Sequence, residues 1–261
     1  MSDHFWLTQT QLDRIKPYFP LSHGIPRVDD LRVISGIIHV IKRGLQWRDA
    51  PVEYGPPKTL YNRFVRWSRM GVFDKIFAGL AADDGVPEQL QIDATHLKAH
   101  RTAASLLKKG AFPRRIGKTK GGLNSKLHAV CDGNSRPLIM LLSEGQMSDY
   151  KGAQLILDAL PPAKHLLADR GYDADWFREA LQGKGIEPCI PSRKNRKKKI
   201  AYGTTLYKQR HKVENMFGKL KDSRRIAMRY DHCAYTYSSA ICIDATVIFY
   251  LNQILEDNNL F

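Results

Sequence analysis

A mixed α/β sheet preceded by a small helical domain is the fold this sequence predicts. Three observations predict it. Apolar residues recur at helical spacing through the first 86 positions, the texture changes at Asp83-Asp84-Gly85-Val86-Pro87, and strand-like and helical runs alternate after that point. The expected division is therefore a helical domain over 1–86 and an α/β domain over 87–261. With 261 residues, 43% of them hydrophobic, the chain can bury a substantial core and is no disordered basic tail.

Each element follows from local chemistry. Thr8 is a natural cap for a first helix carrying Leu12, Ile15 and Phe19, ended by Pro20. Asp29 opens a second, with Leu31, Ile34, Ile38 and Ile41 on one face, and Gly44 closes it. After Pro51, Pro56 and Pro57, Thr59 opens a third with Leu60, Phe64 and Trp67 inward and Arg63, Arg66 and Arg69 largely off that face. A trihelical unit with a basic last helix is the outline of a helix-turn-helix DNA reader, although a packing or dimerisation domain has the same outline. Beyond the boundary, Leu90–His96, Lys126–Cys131, Pro137–Leu142, His165–Asp169 and Ile186–Ile190 read as strands, with helices expected at 149–160 and 176–182. Asp132-Gly-Asn-Ser supplies a turn between the second and third strands. Ala240 to Leu251 reads as a buried helix or strand, too short and too interrupted by Asp244 to span a bilayer.

The charge is strongly uneven. Net charge is +15 and the isoelectric point is near 9.7, which favours a polyanionic partner. No acidic residue occurs between Asp93 and Asp132, against nine Lys and Arg, and Arg193–Lys199 holds six cations in seven positions. These segments suggest a nucleic-acid track. Four cysteines without close spacing exclude a structural zinc site and a disulfide framework as readings of the pattern. The first residues show neither a basic n-region nor an apolar h-region, so a soluble cytoplasmic protein with no membrane partner is expected.

The most informative stretch runs from Tyr207 to Lys221. On one regular helix, Tyr207, Arg210, Glu214 and Lys221 would share a sector of roughly 60°. Leu206, Val213, Phe217 and Leu220 form the adjoining apolar stripe. Asp93 and Asp169 each end or interrupt an apolar strand, where ligand-binding groups of open α/β sheets cluster. Three carboxylates converging there repel one another unless a cation is bound, and an all-oxygen set suits Mg²⁺ or Mn²⁺. An aspartate after a strand also caps the turn that follows, and that alternative stays open for Asp93 and Asp169.

In this order Asp93, Asp169-Arg-Gly171-Tyr172-Asp, and Tyr207, Arg210, Glu214, Lys221 resemble the DDE class of bacterial insertion-sequence transposases, in particular the group named for insertion sequence five. Trp47-Arg-Asp-Ala-Pro51 and Thr59–Phe64 are similar to that group's N-terminal domain. The resemblance implies an RNase H-like catalytic domain, with Asp93, Asp169 and Glu214 holding two Mg²⁺ or Mn²⁺ ions. It implies that Tyr207, Arg210 and Lys221 lie against DNA. It also implies double-stranded DNA partners, both transposon ends and target, and a homodimer or larger assembly on them. Only 44 residues separate Asp169 from Glu214, too few for the β-rich insertion domain of some relatives. A nuclease on the same fold that cuts without joining, or a non-enzymatic DNA-binding regulator, are the alternatives.

Overall fold

Capping and turn residues set most element boundaries. The structure, a computed structural model, describes residues 4–22, 24, 27, 29–83, 85–105 and 114–252. In chain order, helices α1 (Gln9–Ile15), α2 (Asp30–Arg43), α3 (Pro57–Arg69) and α4 (Val72–Ala82) come first. Strand β1 (Gln89–Ala99) and a short helix α5 (Arg101–Ala104) follow, then β2 (Gly117–Thr119), β3 (Gly122–Asp132), β4 (Pro137–Glu144), α6 (Asp149–Ile156), β5 (His165–Leu167), α7 (Asp175–Gly183) and β6 (Glu187–Cys189). The chain closes with α8 (Thr204–Tyr207), α9 (His211–Lys221), α10 (Arg224–Ala227), a two-residue β7 (Met228–Arg229) and α11 (Ala234–Thr246).

The chain forms two compact units, and they do not follow a linear split at residue 86. One comprises Met1–Leu80, His100–Arg114 and Leu220–Phe261; the other comprises Ala81–Ala99 and Arg115–Lys219. The C-terminal segment thus belongs with the N-terminal helices. Periodicity marks α11 as buried but cannot name its packing partner, which is why the sequence places it with its neighbours in the chain.

In the helical unit, Thr8 caps α1 through a reciprocal capping box with Gln11, and Gly44 ends α2 at φ 68°. Helix α3 begins at Pro57, two residues before the expected Thr59, because proline is pre-set for a first helical position. Ile37, Ile38 and Ile41 of α2, Leu60, Phe64 and Trp67 of α3, and Phe73 and Ile76 of α4 are buried. Gln11 Nε2 donates to the Leu251 carbonyl (3.0 Å) and Arg14 Nη1 to that of Tyr250 (2.6 Å), fastening α1 to the far end of the chain. Ala234–Leu251 has the length and composition of a membrane span, yet 78% of it is buried inside the protein. It is the buried helix that the sequence left open as helix or strand.

In the other unit the strand order is β2-β3-β1-β5-β6, with β4 also on β3. Strand β3 runs antiparallel to both β1 and β4, while β5 and β6 are parallel to β1 and β5 respectively. Setting aside the short β2, which the sequence reading missed, the five long-recognised strands stand in the order third, second, first, fourth, fifth. This is the RNase H-like arrangement. Alternation along β1 gives its two faces different tasks. Leu90 and Ile92 join Val130, Leu166, Ile156, Phe177 and Leu181 in an apolar core under α6 and α7. Gln89, Gln91 and Asp93 point the other way.

One buried acid of the helical unit sets a pH dependence. Asp244 on α11 is fully buried; Ser223 Oγ donates to its Oδ1 (2.6 Å), and Oδ2 has no hydrogen-bond partner among the described residues. Burial pushes its carboxyl up from 3.8 to about 7. A raised acid favours the folded state in its protonated form, so its contribution is full below pH 3.8 and is lost as pH rises through about 7. Asp244→Asn is expected to raise the melting temperature more at pH 8 than at pH 5. Thermal unfolding at both pH values checks this; equal shifts would contradict it.

Candidate active site

The parallel register of β1 and β5 brings two aspartates level. Gln91 stands opposite Leu167, and two residues further on, in extended chain, come Asp93 and Asp169. Side chains of even separation share a face, so both carboxylates leave the sheet side by side. Burial raises the Asp93 carboxyl above its ordinary value, and the Asp169 charge adds to that rise. The Ala94 amide, donating to Asp93 Oδ1 (2.8 Å), and Arg210 work against it. Asp169 also caps the turn Arg170–Tyr172, accepting from the Gly171 amide at 2.7 Å. A Cβ at position 171 would stand 2.8 Å from Asp169 Oδ1, so only glycine allows this approach without a shift.

The segment bearing Glu214 reaches the same place, though not as one regular helix. Helix α8 passes into a 3₁₀ turn (Lys208–Arg210) before α9, so the expected stripe is bent at Arg210. Three rungs tie this segment to β1. Gln89 Nε2 donates to Gln209 Oε1 (2.8 Å), the Val213 amide donates to Gln91 Oε1 (3.1 Å), and Arg210 Nη1 donates to Asp93 Oδ2 (2.8 Å). The Val213 amide lies in the first turn of α9, where the helix itself supplies no acceptor. Gln91, fully buried, takes that role and fixes Glu214, the next residue, against the strand carrying Asp93. Arg210 Nη2 donates to Glu214 Oε1, so one guanidinium bridges both acids. Tyr207 is hydrogen-bonded to Arg210 and lies near Asp169; burial raises its phenol above the ordinary value.

Arg210, expected against a DNA strand, rests in this structure on the carboxylates of Asp93 and Glu214. Lys221 ends α9, seven residues beyond Glu214 and thus about 10 Å along the axis. It is half-buried, and burial lowers its ammonium below the ordinary value. Among the described residues no three His, Cys, Asp or Glu side chains form a group that could hold a metal ion.

The basic features also change character. Arg63 Nη1 donates to Asp30 Oδ1 (2.6 Å), its guanidinium lies 4.9 Å from the Trp67 ring centre, and its side chain is 11% exposed. It is a packing residue and presents no groove-facing charge. Arg66 and Arg69 are exposed, with Arg69 Nε donating to Tyr235 Oη at 3.2 Å. The run 193–199 is partly structural too. Buried Asp173 accepts from the Arg193 amide (2.8 Å), Arg196 Nε (2.8 Å) and Arg178 Nε (2.9 Å), while Arg193 Nη2 donates to the Gly171 carbonyl (2.7 Å). Lys194, Lys197 and Lys198 remain exposed.

With these acids placed on an RNase H-like sheet, residues 84–232 match the family model described as "Transposase DDE domain", over more than half of the chain. The chain belongs to the DDE transposase family. Residues 7–77 of the transposase match a second model, "Putative transposase of IS4/5 family". A "Putative transposase for insertion sequence element IS402" from Burkholderia cepacia is 31% identical over 154 residues, which are 52% of this chain and 71% of the relative. A "Putative transposase for insertion sequence element IS6501" from Brucella ovis is 31% identical over 129 residues, 49% and 98% of the two chains. Among solved structures, a piggyBac transposase synaptic complex with hairpin DNA has a TM-score of 0.49 at 10% identity, covering 95% of this chain and 72% of that one. That likeness is too loose to carry any residue's role across.

Two expected outcomes concern how this transposase holds its site. Gln91→Leu leaves the Val213 amide without an acceptor and should cost about 1–3 kcal/mol of stability, read by urea unfolding. At Asp173, burial opposes the charge, but the bonds from Arg196, Arg193 and Arg178 hold the carboxyl below its ordinary value. A depressed acid contributes stability above its unfolded pKa and loses it as pH falls through the folded one. Asp173→Asn should therefore destabilise by about 3–5 kcal/mol at pH 7, the range for breaking a buried pair, and by less in acid. Melting curves against pH check the sign.

Proposed function

We propose that this transposase binds the terminal inverted repeats of an insertion sequence and cuts and joins DNA there through Asp93, Asp169 and Glu214. The observation that supports this reading is that Asp93, inside β1, lies level with Asp169, two residues past the end of β5, with Glu214 tied to Asp93 through Arg210. The donor set is three carboxylates with no thiol or imidazole, which fits Mg²⁺ or Mn²⁺. With Arg210 on Asp93 and Glu214 the three acids do not form a metal-holding group. Once Arg210 moves off them, Asp93, Asp169 and Glu214 would hold two such ions, which supply Lewis-acid activation of an attacking oxygen and stabilisation of a leaving one.

The chain's own residues have separate tasks. Arg210 balances two carboxylates whose charges would otherwise repel, and its fork also matches a phosphate. When a DNA backbone enters, Arg210 would exchange carboxylate for phosphate, freeing Asp93 and Glu214 as ligands. Tyr207, bonded to Arg210, steers that fork. Exposed Arg66, Arg69, Lys194, Lys197 and Lys198 would follow the backbone. Cutting frees a 3′-hydroxyl at the element's end, and that hydroxyl attacks target DNA directly, so no side chain forms a covalent link. The assembly would be a dimer or larger on DNA, acting in the cytoplasm.

Cleavage of a duplex carrying the element's end in Mg²⁺ or Mn²⁺, followed by strand transfer of a pre-cut end, tests this reading. Asp93→Asn, Asp169→Asn and Glu214→Gln should each lower cleavage by more than about 10²-fold, since no neighbour replaces the lost charge, while DNA binding persists. Cutting without transfer would support a nuclease instead; binding without cutting would support a regulator.

Arg210 gives a second expected outcome. Because its guanidinium competes for the same carboxylates, Arg210→Gln should tighten Mn²⁺ binding without DNA by roughly two- to fivefold, the reach of a partly exposed ion pair worth under about 1 kcal/mol. Calorimetric Mn²⁺ titration reads this. Unchanged affinity would remove Arg210 from any competition with metal.

A further inference from the structure

The helical unit carries a cleft of about 640 Å³ that the carboxylate site does not use. Its lining includes Gln46, Trp47, Arg48, His100, Arg225 and Tyr230, and no Asp or Glu lines it among the described residues. Trp47 and Arg48 begin the Trp47-Arg-Asp-Ala-Pro51 segment, folded as a 3₁₀ turn over Trp47–Asp49. Two pairs of planar groups line this space. The Arg225 guanidinium lies 5.2 Å from the Trp47 ring centre, and the His100 and Tyr230 rings stand 4.9 Å apart at 34°.

The first pair is held rigidly. Arg225 donates through Nε and Nη2 to the two oxygens of Asp231 (3.1 Å each) and through Nη1 to the Leu45 carbonyl (3.1 Å). Its charge is thereby compensated, and, only 6% exposed, it fixes the Trp47 ring at the cleft wall. The second pair is open: Tyr230 is 43% exposed. His100 Nδ1 accepts from the Thr102 amide (3.3 Å), which leaves the Nε2 proton as a donor in the neutral ring. Arg48 has a side chain 78% exposed, 3.7 Å from Asp49.

We propose that this cleft receives one unstacked base of DNA, with the flanking phosphate on Arg48; this rests on the reading of the chain as acting on DNA ends. Guanidinium and aromatic planes are the surfaces on which an extruded base stacks, and stacking tolerates any base because each has a π face. Gln46 and His100 add an amide and an imidazole donor for its polar edge. The net charge of +15 selects a polyanion over a neutral aromatic ligand.

The test uses the full chain without divalent ions and two probes, a fully paired duplex of the element's end and the same duplex with one extrahelical 2-aminopurine. The wild type should bind the bulged probe more tightly, by roughly five- to a hundredfold, the effect of one stacked base. The 2-aminopurine fluorescence should be quenched on binding. Tyr230→Ala and Arg48→Gln, both at exposed positions, should lose the preference and the quenching while keeping the melting temperature and the paired-duplex affinity. Equal affinity of the wild type for both probes, or variants that weaken both alike, would overturn this inference and leave the transposase reading intact. Binding of neither probe would overturn both.

Discussion

Everything in the acidic site depends on a short polar ladder between one strand and one helix end. Gln89, Gln91 and Asp93 occupy one face of β1, and each holds a group from residues 209–213. Such a face is costly in a protein interior unless every group finds a partner. Here the partners are a side-chain amide, an orphan helix amide and a guanidinium, which together fix the register, while Gln91 Nε2 stays buried without a partner among the described residues. Sliding α9 by one residue would break all three rungs together. The position of Glu214 is therefore set in part by two glutamines that carry no charge.

A second constraint acts through Asp173. Four residues after Asp169, it draws Arg178, Arg193 and Arg196 inward and ties the 193–199 segment to the turn that Asp169 caps. The cost of burying one carboxylate is offset by three donors. The chain's positive charge thus serves two ends. Part of it holds the loop beside the acids in shape, and only the remainder is free to meet a polyanion.

The fold was largely legible because its signals are local. Thr8, Asp29 and Gly44 mark helix ends by their own hydrogen bonds or backbone conformation, and the Asp132-Gly-Asn-Ser turn lies between paired strands. Asp93, Asp169 and Glu214 stood out in the sequence as acids that end or interrupt an apolar strand or lie on a helix margin. What escaped was whatever another part of the chain decides. Arg63 reads as a surface cation until Asp30 claims it. Gln91 reads as filler in a strand, although polar residues alternating with Leu90 and Ile92 on a strand buried on both faces were a signal that partners must exist. Arg210 shares a helical sector with Glu214 on paper, yet only the fold brings Asp93 into its reach. Helix α11 announces its burial but not its companions.

That last feature bears on how the protein is made. The helical unit draws on three separated stretches, the last beginning at Leu220, and α1 is fastened by carbonyls at Tyr250 and Leu251. A chain emerging from the ribosome at about 5–20 residues per second would present α1–α4 many seconds before α11 existed to cover them. Their apolar faces must wait, sheltered by chaperones or by loose collapse, until α11 has been made. A product cut short after the first 86 residues would lack α11 and the buried Ala240, Ile241 and Ile243 that it supplies. Such a fragment would be a target for proteolysis, and no competent competitor of the full-length protein at DNA.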